Sequence, residues 1–77
     1  MGIARATATR RDLTARECEV LGLVGDGLED GEIANQLGVA QSSVSALLRS
    51  AMAKLDSRTR VQAVARLAEI DEQKRRR

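Results

Sequence analysis

Between residues 41 and 50 the chain places Gln41, Ser42, Ser43, Ser45, Arg49 and Ser50 close together, with no acidic residue among them. Hydroxyls, an amide and a guanidinium are groups that recognise by hydrogen bonding, and a serine breaks bonds only when a neighbouring base activates it. The chain contains no histidine, the base most often used for this. Cys18, its single cysteine, stands between Glu17 and Glu19 with neither a base nor a co-ligand and reads as a small buried hydrophobe. Gly22, Gly25, Gly27 and Gly31 fall close together but straddle a helix end and lack the strand and the Lys-Ser/Thr of a phosphate loop. The expectation is therefore a binding protein and not an enzyme: no catalytic residues, no metal ligands and no cofactor.

Charge is distributed unevenly around a net +2. Residues 1–11 carry Arg5, Arg10 and Arg11 and no acid, whereas residues 12–37 carry seven acids against Arg16 alone. Residues 38–62 hold Arg49, Lys54, Arg58 and Arg60 against Asp56, and the chain closes on Lys74-Arg75-Arg76-Arg77. A basic side and an acidic side are expected, an arrangement that suits one surface to a polyanion.

These side chains must be positioned by helices. With 77 residues, no aromatic and no proline, the apolar content is Ala, Val, Leu and Ile, which favours an all-α domain. A domain of this size buries only about 60% of the surface of its unfolded chain, which leaves no room for a deep catalytic pocket. Residues 1–12 show no periodicity and read as a flexible basic arm. Thr14-Ala15-Arg16-Glu17 is a capping box that opens a first helix, which runs through Cys18, Val20, Leu21, Leu23 and Val24 and stops around Gly25 to Gly27. A second helix covers Asp30 to Leu37, with Ile33, Ala34 and Leu37 inward, acids at its positive end, and Gly38 placed to end it. A third runs from about Gln41 to Leu55: Val44, Leu47, Leu48, Ala51 and Leu55 share one arc, while Ser42, Ser45, Ala46, Arg49, Ser50 and Ala53 share the other.

Thr59-Arg60-Val61-Gln62 is a second capping box, opening a fourth helix that continues to about Asp71, with 72–77 left as a basic tail. Its apolar residues form two sides, Ala63, Leu67 and Ile70 on one and Val61, Val64, Ala65 and Ala68 on the other. That is more circumference than one core contact covers, so the second side reads as an interface. No apolar run has the length of a signal or membrane segment, and the lone cysteine forms no internal disulfide, so a cytoplasmic protein is expected, without a membrane partner.

Two helices joined by a short link containing a glycine, the second longer and with a small polar outer face, match the helix-turn-helix unit. That unit lays its second helix in the major groove of DNA while the first crosses the phosphate backbone. Small residues let the backbone of such a helix come close, and its first N–H groups face a phosphate.

The run from Leu13 to about residue 70 also resembles the LuxR/NarL-type helix-turn-helix domain of bacterial transcription regulators. The resemblance rests on Leu13, Thr14, Arg16, Glu17, Glu19, Val20 and Leu21, on Glu32, Ile33, Ala34 and Leu37, and on Lys54, Leu55, Arg60, Ala63 and Val64. It implies a four-helix DNA-binding domain (13–71) with the third helix as reader, the fourth as a dimer contact, and an operator of two related half-sites. Where the family usually has Ser/Thr-Asn-Lys, this chain has Glu29-Asp30-Gly31, and where it has Thr-Val-Lys, this chain has Ser43-Val44-Ser45. Both lysines are lost, Ala40 replaces the capping serine, and Leu47 replaces a polar residue. Non-specific affinity is therefore expected to fall and its salt dependence to flatten, by about 0.9 in slope per lost phosphate contact.

The expected base-contacting residues are Ser42, Ser45, Ala46 and Arg49, with Arg49 as the guanine reader. Gln41, Ser43, Lys54, Arg58 and Arg60 are the candidates for phosphate, and Val61, Ala65 and Ala68 for a homodimer interface. Two readings stand side by side. One is a sequence-specific regulator that binds double-stranded DNA, alone or as the output end of a larger protein with a sensor domain. The other is a helix-turn-helix module that docks a protein partner and binds DNA weakly or not at all.

Overall fold

The computed structural model describes residues 12–75 of the chain. It is built of four helices: α1 (Ala15–Gly25), α2 (Asp30–Leu37), α3 (Gln41–Lys54) and α4 (Arg60–Arg75). No strand occurs among the described residues. The all-α, four-helix expectation holds. The expected arm lies, apart from Asp12, outside the described residues.

Each helix boundary has a local cause. The Thr14 hydroxyl accepts from the Glu17 N–H at 3.0 Å and the Glu17 carboxylate accepts from the Thr14 N–H at 2.9 Å, closing the capping box at the start of α1. At the start of α2 the Glu32 carboxylate reaches back to the Glu29 N–H at 2.8 Å, a cap the sequence reading left unassigned. At α4 only half of the expected box forms: the Thr59 hydroxyl takes the Gln62 N–H at 3.0 Å, while the Gln62 amide oxygen accepts from Arg58, one residue early, at 2.8 Å. Ala40 caps α3 with no side-chain bond, and no neighbouring serine substitutes.

The turns that follow α1, α2 and α3 share one closing bond, from an N–H back to the carbonyl five residues earlier: Leu28 to Leu23, Val39 to Ala34 and Ser57 to Met52. Such a closure needs a residue of left-handed backbone just past the helix. Gly27 and Gly38 supply it at φ of 95° and 69°, and Asp56 supplies it at φ 53° without being a glycine.

The core is one cluster in which α1 lies against both α3 and α4, and α2 lies against α3. Val20 and Leu21 of α1, Ile33 of α2, Val44 and Ala51 of α3 and Ala63 of α4 are fully enclosed, and Leu13, Leu48, Leu55 and Leu67 close it. Three details differ from the sequence reading. Cys18 is half-buried at the rim of this cluster instead of inside it. Val64 belongs to the core side of α4: a Cβ at Gly25 would stand 3.1 Å from its Cγ1, so α1 and α4 approach closely where Gly25 lacks a side chain. Helix α4 runs a full turn past Asp71, to Arg75, so the first part of the expected tail is helix. Glu72, Gln73, Lys74 and Arg75 are all good helix formers with nothing to break them, whereas the apolar spacing used to place the end stops at Ile70.

A candidate nucleic-acid interface on helix α3

Helix α3 is amphipathic because Val44, Leu48, Ala51 and Leu55 recur at helical spacing and enter the core. The same geometry sends Gln41, Ser42, Ser43, Ser45, Ala46, Arg49 and Ala53 outward, and all are exposed. No residue from Gln41 to Leu55 is acidic. Among the described residues, none from Gln41 to Arg49 makes a side-chain hydrogen bond, so the polar groups of this surface are not spent on other described side chains.

Toward α1, α3 is held by a polar grip. Glu17 is buried, only 3% exposed, and both of its oxygens are engaged. The Ser50 hydroxyl donates to Oε2 at 2.6 Å, and the Lys54 ammonium reaches Oε1 at 2.9 Å and Oε2 at 3.1 Å. Burial pushes the Glu17 carboxyl up, but the Ser50 hydroxyl, the Thr14 N–H and the Lys54 ammonium together outweigh it and hold the group at about 2, against an ordinary 4.5. Ser50 and Lys54 are one turn apart on α3, so a single carboxylate fixes both the rotation and the height of that helix.

A second polar link joins the starts of α2 and α4. Arg60 donates through Nη1 to Asp30 Oδ1 at 2.6 Å and through Nη2 to Oδ2 at 3.3 Å, the forked geometry of a guanidinium on a carboxylate. These bonds and the Arg60 charge hold the Asp30 carboxyl below its ordinary value and raise the guanidinium correspondingly. Asp30, Gly31, Gln41 and Arg60 line one open groove, so the first residues of α2, α3 and α4 converge on the same edge of the molecule.

Residues 11–67, most of the chain, match the family of bacterial regulatory proteins known as the luxR family. The chain belongs to the luxR family. No curated protein matches it. The luxR-family domain is a DNA-binding regulatory domain, which ties the chain to transcription regulation. Among the described residues of this luxR-family chain, no group of acids and cysteine could hold a metal ion, and no helix is long and apolar enough to cross a membrane.

The luxR-family chain places its candidate residues as follows. Ser42, Ser45, Ala46 and Arg49 lie together on the outward side of α3, and Arg49 has no ion-pair partner among the described residues. Gln41 and Ser43 flank them in the first turn, and Arg58 is exposed in the link before α4. Lys54 and Arg60 are not open cations, since one is bound to Glu17 and the other to Asp30. Ser50, expected on the outer side, turns to Glu17. On α4, Val61 is 74% exposed and Ala65 and Ala68 are exposed beside it, separate from the core side. Sequence reasoning saw Glu17 only as a cap and missed its second role. The one-turn spacing of Ser50 and Lys54 puts both on one side of α3 but does not point to Glu17, 33 and 37 residues away.

Proposed function

We propose that the chain is a sequence-specific, double-stranded-DNA-binding transcription regulator of the cytoplasm that lays α3 in the major groove and works as a homodimer through α4. The observation that carries this reading is the outward side of α3: small, polar, free of acids, unoccupied by internal hydrogen bonds and clamped from behind by Glu17. Ser42, Ser45 and Ala46 let the helix approach base edges, and Arg49 projects from the same side with a fork that fits the O6 and N7 of guanine. Gln41, Ser43 and Arg58 meet phosphates at the borders of the groove, and the α3 N–H groups left without a side-chain cap face the same backbone. Lys54 and Arg60 contribute to the phosphate contacts only by sharing or leaving their carboxylates. Val61, Ala65 and Ala68 form the dimer contact, which gives an operator of two half-sites.

The protein-docking reading draws on one specific observation, the acids Glu29, Asp30 and Glu32 at the edge that would meet DNA. Selection of the purified chain on a randomised duplex pool at two salt concentrations, with Arg49→Ala as control, separates the two. Enrichment of a two-part site that Arg49→Ala weakens is the expected result. Binding that is weak, unselective and erased by salt would overturn the regulator in favour of protein docking.

A further inference from the structure

We infer that Asp30 withholds Arg60 from DNA and thereby sets the selectivity of the interface. The inference rests on the DNA-binding reading of α3 and concerns the edge beside that helix.

A Cβ at Gly31 would stand 3.7 Å from Gln41 Oε1, so the start of α2 abuts the first turn of α3, where a phosphate strand entering the groove would pass. Arg60 lines the same groove as Gln41 and is, among the described residues, the one basic residue there. Both of its outer nitrogens are nevertheless spent on the two oxygens of Asp30, in a pair whose side chains are 45% and 20% exposed. At that exposure the pair contributes little to stability. Its effect is on the field met by DNA. A guanidinium that already holds an oxyanion bidentately gains little by exchanging it for a phosphate, and the exchange leaves the Asp30 carboxylate facing the DNA backbone beside Glu29 and Glu32.

Contacts to phosphate are blind to sequence, whereas those made by Arg49 are not. Neutralising Arg60 in place therefore lowers affinity for every duplex alike and leaves the base-reading side of α3 intact. The protein gives up general affinity and gains contrast between its own site and all others.

The test measures binding of Asp30→Asn to a duplex of random sequence and to the selected duplex, across a salt series. Freeing Arg60 is expected to tighten binding to the random duplex about five- to tenfold near physiological salt and to steepen its salt slope by about 0.9, the share of one phosphate. The ratio of selected to random binding falls. Arg60→Ala alone leaves the Asp30 carboxylate unneutralised beside the DNA backbone and weakens random-duplex binding, and placed on top of Asp30→Asn it removes the gain. Asp30→Ser, which leaves the Glu32 cap on the Glu29 N–H in place, reproduces the result independently of any loss of fold in the first variant. Unchanged random-duplex affinity and slope in both Asp30 variants, while Arg49→Ala still weakens the selected site, would overturn this inference and leave the DNA reading standing. Absence of duplex binding by the wild type and every variant, even at low salt, would overturn both.

Discussion

Lys54→Met keeps the methylene stem of the side chain and removes its ammonium, leaving Glu17 buried with the Ser50 and Thr14 donors alone. The fall of the Glu17 carboxyl from 4.5 to about 2 amounts to about 3 kcal/mol in favour of the ionised form in the folded protein. Lys54 provides one of the three donors and the attracting charge, but its side chain is 36% exposed, so solvent screens part of its share. A loss of about 1.5 kcal/mol at neutral pH is expected, or about 6–12 °C in Tm for a domain of this size. The pH dependence has a definite sign. Because the carboxyl is depressed in the folded state, its stabilisation is complete above its ordinary value of 4.5 and is lost as the pH falls toward about 2. The gap between wild type and Lys54→Met is therefore widest near neutrality and narrows on acidification. Urea denaturation followed by helical circular dichroism, at steps from about pH 7 to about pH 2, measures it. A gap below about 0.5 kcal/mol at neutral pH would refute the grip, since that is the level of an ordinary surface charge. A gap that stays constant through acidification would do the same.

Ala40→Ser supplies the cap that α3 lacks and is expected to raise stability by about 1 kcal/mol in a thermal melt, while weakening any duplex binding that uses the uncapped N–H groups. No rise in Tm would mean that water already satisfies those groups. Val61→Asp puts a charge at the 74% exposed apolar position of α4; sedimentation should show self-association weakened at least about tenfold with the melt nearly unchanged. Equal association by the variant would place the dimer contact elsewhere.

The helices were legible in the sequence where a start or stop has its own chemistry. Thr14 with Glu17 marks the start of α1, and Gly38 marks the end of α2 because a left-handed residue is needed there. The end of α4 was not legible, because beyond Ile70 the helix continues on propensity alone, with no apolar period to follow. The outward side of α3 followed from its 3.6-residue period, apart from Ser50, which lies at the border of the two arcs and whose direction is settled by Glu17 across the core. The engagement of Lys54 and Arg60 was hidden for a different reason. Their partners lie 37 and 30 residues away, and nothing local tells that those segments meet.

The grip of Glu17 takes hold of α3 only at Ser50 and Lys54, in the second half of the helix. The first half, Gln41 to Arg49, is held by apolar contact instead, through Val44 and Leu48 in the core and against α2, and makes no side-chain hydrogen bond among the described residues. The residues that support α3 and those proposed to contact bases are thus different residues of one helix. Ser42, Ser45, Ala46 and Arg49 can all be exchanged without disturbing a core contact or the anchoring carboxylate, so under the proposed function a handful of surface substitutions would change the target sequence with stability left almost where it was.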